Sequence, residues 1–195
     1  MASSKDFGEL VYVLGDMCIP DRVDKIPAEI ENLIKEANNK PKYVLCTGNL
    51  SSITPLRWLQ SISAPIMHIV RGDLDDDKQQ NPFEKKIRIG NFDIGLIHGH
   101  QIVPWGDAES LGALQRKMGV DVLISGHTHQ AEVLEYENRL LLNPGSITGA
   151  FNAITTKATP SFIVLSIEKS VMDIYLYELV GSKITVSKRK FEKKS

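Results

Sequence analysis

Leu10-Val11-Tyr12-Val13-Leu14-Gly15-Asp16 is an uninterrupted apolar run that stops at a glycine and a carboxylate. Successive apolar positions without polar alternation read as a strand buried on both faces. The construction recurs along the chain. Tyr43 to Cys46 runs into Thr47-Gly48-Asn49, and Ile66 to Val70 runs into Arg71-Gly72-Asp73. Gly95-Leu96-Ile97 leads to His98-Gly99-His100, and Val120 to Ile124 leads to Ser125-Gly126-His127-Thr128-His129. Five apolar runs thus end at Asp16, Asn49, Asp73, His98 and His127.

Between the first three runs lie helical patterns. Pro27 to Ala37 spaces Ile30, Leu33, Ile34 and Ala37 along one face, with Pro27 suited to a first turn. Pro55 to Ile62 reads as a short helix burying Leu56, Leu59 and Ile62. This βαβαβ order predicts a mostly parallel sheet with right-handed crossovers. The second half is richer in β patterns. Lys86 to Ile89 meets Phe92 to Ile97 across Gly90-Asn91, a tight-hairpin signal. A helix from Asp107 to Met118 buries Ala108, Leu111, Leu114 and Met118. Ala131 to Tyr136 and Arg139 to Leu142 form a hairpin around Glu137-Asn138. Ser161 to Ile167, Val171 to Leu179 and Ile184 to Phe191 read as three antiparallel strands. The expected fold is a single α/β domain over residues 10–192, an αββα sandwich of two sheets with helices outside. Residues 1–9 read as an N-terminal extension and residues 193–195 as a basic tail.

Composition narrows the function. Apolar residues make up 42% and charged residues 24%, with a net charge of -1, as in an ordinary globular protein. Nucleic-acid binding needs clustered positive charge. The one basic cluster, Lys188-Arg189-Lys190 with Lys193-Lys194, reads as a solvated end, so nucleic acid is excluded as a partner. Two cysteines, Cys18 and Cys46, make no disulfide framework and point to a reducing compartment. No secretory leader pattern is visible, and no apolar run approaches the ~20 residues needed to cross a bilayer. Membrane association would therefore be indirect.

In open α/β sheets, ligands gather beyond the carboxyl ends of strands. There the candidate metal-binding side chains are Asp16, Asn49, Asp73, His98, His127 and His129. Carboxylates combined with imidazoles suit a borderline divalent ion such as Mn, Fe or Zn. Two such ions about 3.5–4 Å apart would clamp a phosphate and activate water. A single Asp after Gly at a strand end is an ordinary turn residue; five such ends in one chain are not explained that way. His68, inside a strand run, reads as an ordinary packed or edge residue. Asp75-Asp76-Asp77 reads as a solvated loop, and Trp105 as a core anchor.

The segment order resembles the calcineurin-like metallophosphoesterase family, whose pattern is Asp-x-His, Gly-Asp, Gly-Asn-His-Asp/Glu, His, then Gly-His-x-His. Several longer runs are more similar to the family of small retromer subunits. These are Gly95 to His100 with Val103-Pro104-Trp105-Gly106-Asp107, Ile124 to His129, Leu45 to Leu50, His68 to Asp73, and Asn143-Pro144-Gly145-Ser146. The likeness spans Val11 to the C-terminus. Against the hydrolase pattern, Cys18 stands at a histidine position, Asn49 at the bridging aspartate, Asp73 at an asparagine and Leu74 at the catalytic histidine. A leucine cannot transfer a proton, and positioned acid–base groups contribute about 10²–10⁴-fold to rate. Cys18 could ligate zinc as a thiolate; the simpler reading is a small buried side chain.

The resemblance implies a non-catalytic adaptor with a vestigial dinuclear site able to hold Zn or Mn and requiring neither. Its implied partner is a large α-solenoid retromer subunit, approached through Ile102 and Val103. Regulators carrying short apolar-proline motifs would bind at Val164 and Tyr177. The implied location is cytoplasmic, peripheral on the cytosolic face of endosomes, with a role in endosome-to-Golgi retrieval of transmembrane cargo. The alternative is a divergent metal-dependent phosphoesterase with a narrow substrate.

Overall fold

A computed structural model describes residues 8–37, 40–62 and 64–193. The elements, in chain order, are β1 (Glu9–Leu14), α1 (Ala28–Glu36), β2 (Tyr43–Cys46), α2 (Ile53–Ser61), β3 (Ile66–Ile69), β4 (Glu84–Ile89) and β5 (Phe92–Ile97). They continue with α3 (Ala108–Met118), β6 (Val122–Ile124), β7 (Ala131–Tyr136), β8 (Arg139–Pro144), β9 (Ser161–Glu168), β10 (Val171–Val180) and β11 (Lys183–Glu192).

Two mixed sheets face each other. The first runs β11-β10-β9-β1-β2-β3 and the second β4-β5-β6-β8-β7. Strand periodicity sets the layers, because consecutive side chains point to opposite faces. Val11, Val13, Leu45, Val122, Ile124, Leu140 and Leu142 enter the core between the sheets. Their neighbours Tyr12, Leu14, Val44 and Cys46 face the other way, onto Ile30 and Ile34 of α1 and Leu59 of α2. Leu123 and Leu141 face Leu111 of α3 across the second sheet. The result is the expected αββα sandwich. Each such fully buried aliphatic side chain contributes about 1.5–3 kcal/mol of transfer free energy.

The expectation of a mostly parallel sheet is corrected. Only β1-β2-β3 are parallel in the first sheet, while β9, β10 and β11 pair antiparallel. The late strands return through short turns that permit only antiparallel pairing. Leu33 is also more exposed than its helical spacing predicts. Both ends differ slightly from expectation. Glu9 already pairs with Ile167 as part of β1. Lys193 donates to the Asp121 carboxylate at 2.6 Å, so it is anchored to the sandwich. Residues 1–7 of the expected extension and 194–195 of the expected tail lie outside the described residues. Among the described residues, no helix is long and apolar enough to cross a membrane.

Candidate metal centre

The carboxyl ends of β1, β2, β3, β5 and β6 converge, and their loops carry the candidate side chains into one pocket. The backbone there is unusual. Asp16, Cys18, Asn49, His127 and His129 all have left-handed φ values, between 40° and 69°. Non-glycine residues adopt this region at a cost of about 1–3 kcal/mol each, and it persists where surrounding contacts over-determine it.

Asp16 is the hub. Its Oδ2 accepts the His127 backbone N–H at 2.9 Å, and its Oδ1 accepts the Asn49 amide at 3.2 Å. Oδ1 lies 3.5 Å from His129 Nε2 and 3.7 Å from His98 Nε2. Burial alone would raise this carboxyl; the His98 and His129 imidazoles beside it hold it below its ordinary value. Gly126 leaves room for the carboxylate, since a Cβ there would meet Asp16 Oδ2 at 2.6 Å.

Asp73 forms the second half. Its Oδ1 sits 2.9 Å from His98 Nε2 and 3.5 Å from His127 Nδ1. Burial opposes ionisation, but hydrogen bonds from His127 and His98 push the carboxyl well below its usual range. His98 Nδ1 donates to the Thr47 carbonyl at 2.7 Å, which aims Nε2 at the pocket. Burial would lower His98, yet the Asp16 and Asp73 charges raise it.

This donor set fits a divalent ion. Asp16, Cys18 and His129 offer ligand atoms within 4.8 Å of one another, and so do Asp73, His98 and His100. His127 turns Nδ1 toward Asp73 Oδ1 and His98 Nε2, at 3.5 and 3.2 Å, so a third imidazole enters the pocket.

The profile of the calcineurin-like phosphoesterase superfamily domain matches residues 11–170. Vacuolar protein sorting-associated protein 29 of Schizosaccharomyces pombe is 32% identical over 188 residues, covering 94% of this chain and 98% of that protein. The chain belongs to the Vps29 family. A Vps29 of Entamoeba histolytica, solved as a complex with Zn²⁺, is 40% identical, covers 94% of this chain and 99% of its own, and superposes with a TM-score of 0.87. A Chaetomium thermophilum Vps29 bound to a cyclic peptide is 31% identical, with 95% and 98% coverage and a TM-score of 0.82.

Within this family fold, the structure brings Asp16, Asn49, Asp73, His98, His127 and His129 together, but not all as expected. Asn49 turns its amide nitrogen toward both carboxylates. Its Nδ2 bridges the Asp16 and Asp73 carboxylates at 3.2 Å each, while its Oδ1 accepts the Leu74 N–H at 3.1 Å. An amide donor between two carboxylates offsets their repulsion, which an aspartate there could not do. Trp105 is corrected. It is 39% exposed, and its ring stands edge-on to His127 at 4.4 Å, over the pocket rather than in the core. Ile102 packs under α3, whereas Val103 is 77% exposed.

Sequence reading missed several supports. The Ser146 hydroxyl donates to the Asp16 carbonyl at 2.7 Å, and Thr148 to the Met17 carbonyl at 3.0 Å. The Asn152 amide donates to the His127 carbonyl. The Ser/Thr/Asn content of the segment 146–155 was the available signal. Asp75 is buried, not a solvated loop residue. Its Oδ2 accepts the Asn49 and Gly72 N–H groups at 2.9 and 2.8 Å, tying two pocket loops together. Asp75→Ala strands both donors and is expected to lower stability by about 2–3 kcal/mol. That corresponds to a melting point roughly 5–10 °C lower by calorimetry. Unchanged melting would remove Asp75 from this role.

On the far face of the first sheet, Val164 and Tyr177 do meet. With Tyr12, Leu33, Ile34, Glu36, Ala37 and Phe162 they line a groove of about 340 Å³ beside α1. Tyr177 stacks on Phe162 with ring centroids 4.7 Å apart.

Proposed function

We propose that the chain is a non-catalytic scaffold subunit of a retromer-type assembly, gripped at the mouth of its metal pocket by a large α-solenoid partner. The observation that carries this reading is the apolar rim. Val103, Trp105, Phe151 and Ile154 are 77%, 39%, 55% and 52% exposed and are carried on the two loops that flank His127 and His129. Exposed apolar patches of this kind mark protein contacts. A hydrolase would instead need an open, polar approach for a phosphate ester.

Leu74 supports the same reading. It follows Asp73 directly, and its backbone N–H is spent on Asn49. Its side chain has no proton to give where the phosphoesterase pattern has a histidine. With Asp16, Asp73, His98, His127 and His129 as ligands, the pocket holds Zn²⁺ or Mn²⁺ as a structural ion that neutralises the two carboxylates. The groove around Val164 and Tyr177 takes short apolar-proline segments of regulators; the peptide-bound state of the Chaetomium relative fits a peptide-binding role. In this reading the chain is one domain over residues 10–192. It works on the cytosolic face of endosomes through its partners, in retrograde retrieval of transmembrane cargo.

The converging His98, His127 and His129 imidazoles favour one other reading, a phosphoesterase of narrow specificity. Assay of the purified chain with Mn²⁺ or Zn²⁺ separates the two. The expected result is negligible hydrolysis of generic phosphomonoesters and phosphodiesters. Brisk turnover that is lost in Asp16→Ala, and only modestly altered by Leu74→His, would overturn the scaffold reading. Affinity purification from native lysate should also co-recover one large α-helical protein.

A further inference from the structure

Cys18 and Cys46 are both free, buried thiols, but their surroundings differ. Cys46 is part of the apolar cluster beneath α1 and α2. Cys18 is fully buried, yet among the described residues it belongs to none of the three apolar clusters. Its sulfur faces polar groups instead. Sγ lies 4.0 Å from His129 Nε2, the same nitrogen that stands 3.5 Å from Asp16 Oδ1.

The donors are held in orientation from behind. His129 Nδ1 is 2.6 Å from the Ala150 carbonyl oxygen, which can only accept. Nδ1 therefore carries a proton and Nε2 turns toward Asp16 and Cys18. Asp16 Oδ2 is occupied by the His127 N–H, which leaves Oδ1 to face that nitrogen. Left-handed backbone at both Asp16 (φ 40°) and Cys18 (φ 49°) turns the two side chains into the pocket. His127 Nδ1 faces the same pocket, 3.5 Å from Asp73 Oδ1 and 3.2 Å from His98 Nε2. Tetrahedral zinc with bonds of about 2.0–2.3 Å places sulfur about 3.5 Å and oxygen about 3.3 Å from a shared nitrogen ligand. The observed 4.0 and 3.5 Å are close to those spacings.

We infer that Cys18 is a thiolate ligand of zinc, completing a set with Asp16 Oδ1 and His129 Nε2, and that this half of the pocket therefore selects zinc over manganese. This corrects the simpler reading of Cys18 as a small buried side chain, and it rests on the pocket holding metal. On binding, the Cys18 S–H bond breaks and its proton leaves to solvent. The sulfur electron pair then forms the bond to the ion, and no oxidant or reductant takes part. Thiolates favour zinc, whereas carboxylate oxygens are the donors that suit manganese. The other trio, Asp73, His98 and His100, contains no sulfur, so the thiol makes the two halves unequal.

Cobalt(II) titrated into the metal-stripped full chain under reducing conditions tests the assignment. Thiolate–cobalt bonds give a near-ultraviolet charge-transfer band that imidazole and carboxylate ligands do not. The band is expected in the wild type and in Cys46→Ser and absent in Cys18→Ser. Zinc affinity, measured by competition with a chromophoric chelator, is expected to fall about tenfold or more in Cys18→Ser, with manganese affinity changed less than about threefold. Cobalt binding to the wild type without the band overturns the thiolate while leaving the metal pocket standing. Failure of cobalt, zinc and manganese alike to bind overturns both. Should Cys18→Ser not fold, the wild type and Cys46→Ser decide the matter alone.

Discussion

Asp16→Ala is expected to lower unfolding stability, measured in urea with a chelator present, by about 3–5 kcal/mol. The reason is its place at the centre of the pocket. Removing the carboxylate strands the His127 N–H and one arm of the Asn49 amide, and deprives His98 of its buried counter-charge. A domain of this size loses roughly 2–4 °C of melting temperature per kcal/mol, so the fall is roughly 6–20 °C. The same substitution removes the ligand shared by the Cys18–His129 half. Zinc affinity is expected to drop by about a hundredfold or more, beyond the 10–100-fold typical of losing a group that merely supports a ligand. Asp16→Asn keeps the volume and one acceptor for the His127 N–H, so it should recover part of the stability and little of the zinc. A stability change in Asp16→Ala below about 1 kcal/mol would show that the loops hold their strained backbone without it.

Val103→Asp is expected to abolish capture of the α-solenoid partner while leaving the fold intact. Val103 contributes nothing to the core, and substitutions at such sites change stability by no more than about 0.5 kcal/mol. A carboxylate pressed into an apolar contact must be desolvated without a partner. A central contact residue lost in this way costs about 2–4 kcal/mol, or roughly a 30- to 1,000-fold weaker complex. Calorimetric titration against the purified solenoid subunit, alongside thermal melting, reads both quantities. Ile102→Asp is the informative contrast. Because Ile102 packs under α3, its substitution should lower the melting point as well, and any loss of binding could not be assigned to the interface. Wild-type affinity in Val103→Asp would move the docking surface elsewhere.

The two substitutions mark where sequence reading succeeds and where it stops. Asp16 was visible because it closes a fully apolar run, and a strand buried on both faces can release its polar residue only at its end. The same logic located Asp73, His98 and His127, and His129 came with the last. It could not say which atom of each side chain faces the pocket. Asn49 lies in the right place with its amide nitrogen inward, an orientation set by the Leu74 N–H that holds its oxygen. Asp75 looked like one of three solvated acids, yet it is buried, accepting the N–H groups of Asn49 and Gly72.

By itself, the sequence determined the sandwich: period-two and helical patterns report which faces must leave water, and those faces specify two sheets with helices outside. Only the tertiary structure decided the rest. The pairing of β9 with β1, the exposure of Trp105 and Val103, and the polar surroundings of Cys18 all depend on contacts between residues far apart in the chain. Local pattern records how much a residue is buried. What it is buried against is settled when loops from five strands, and the 146–155 segment, close over one another.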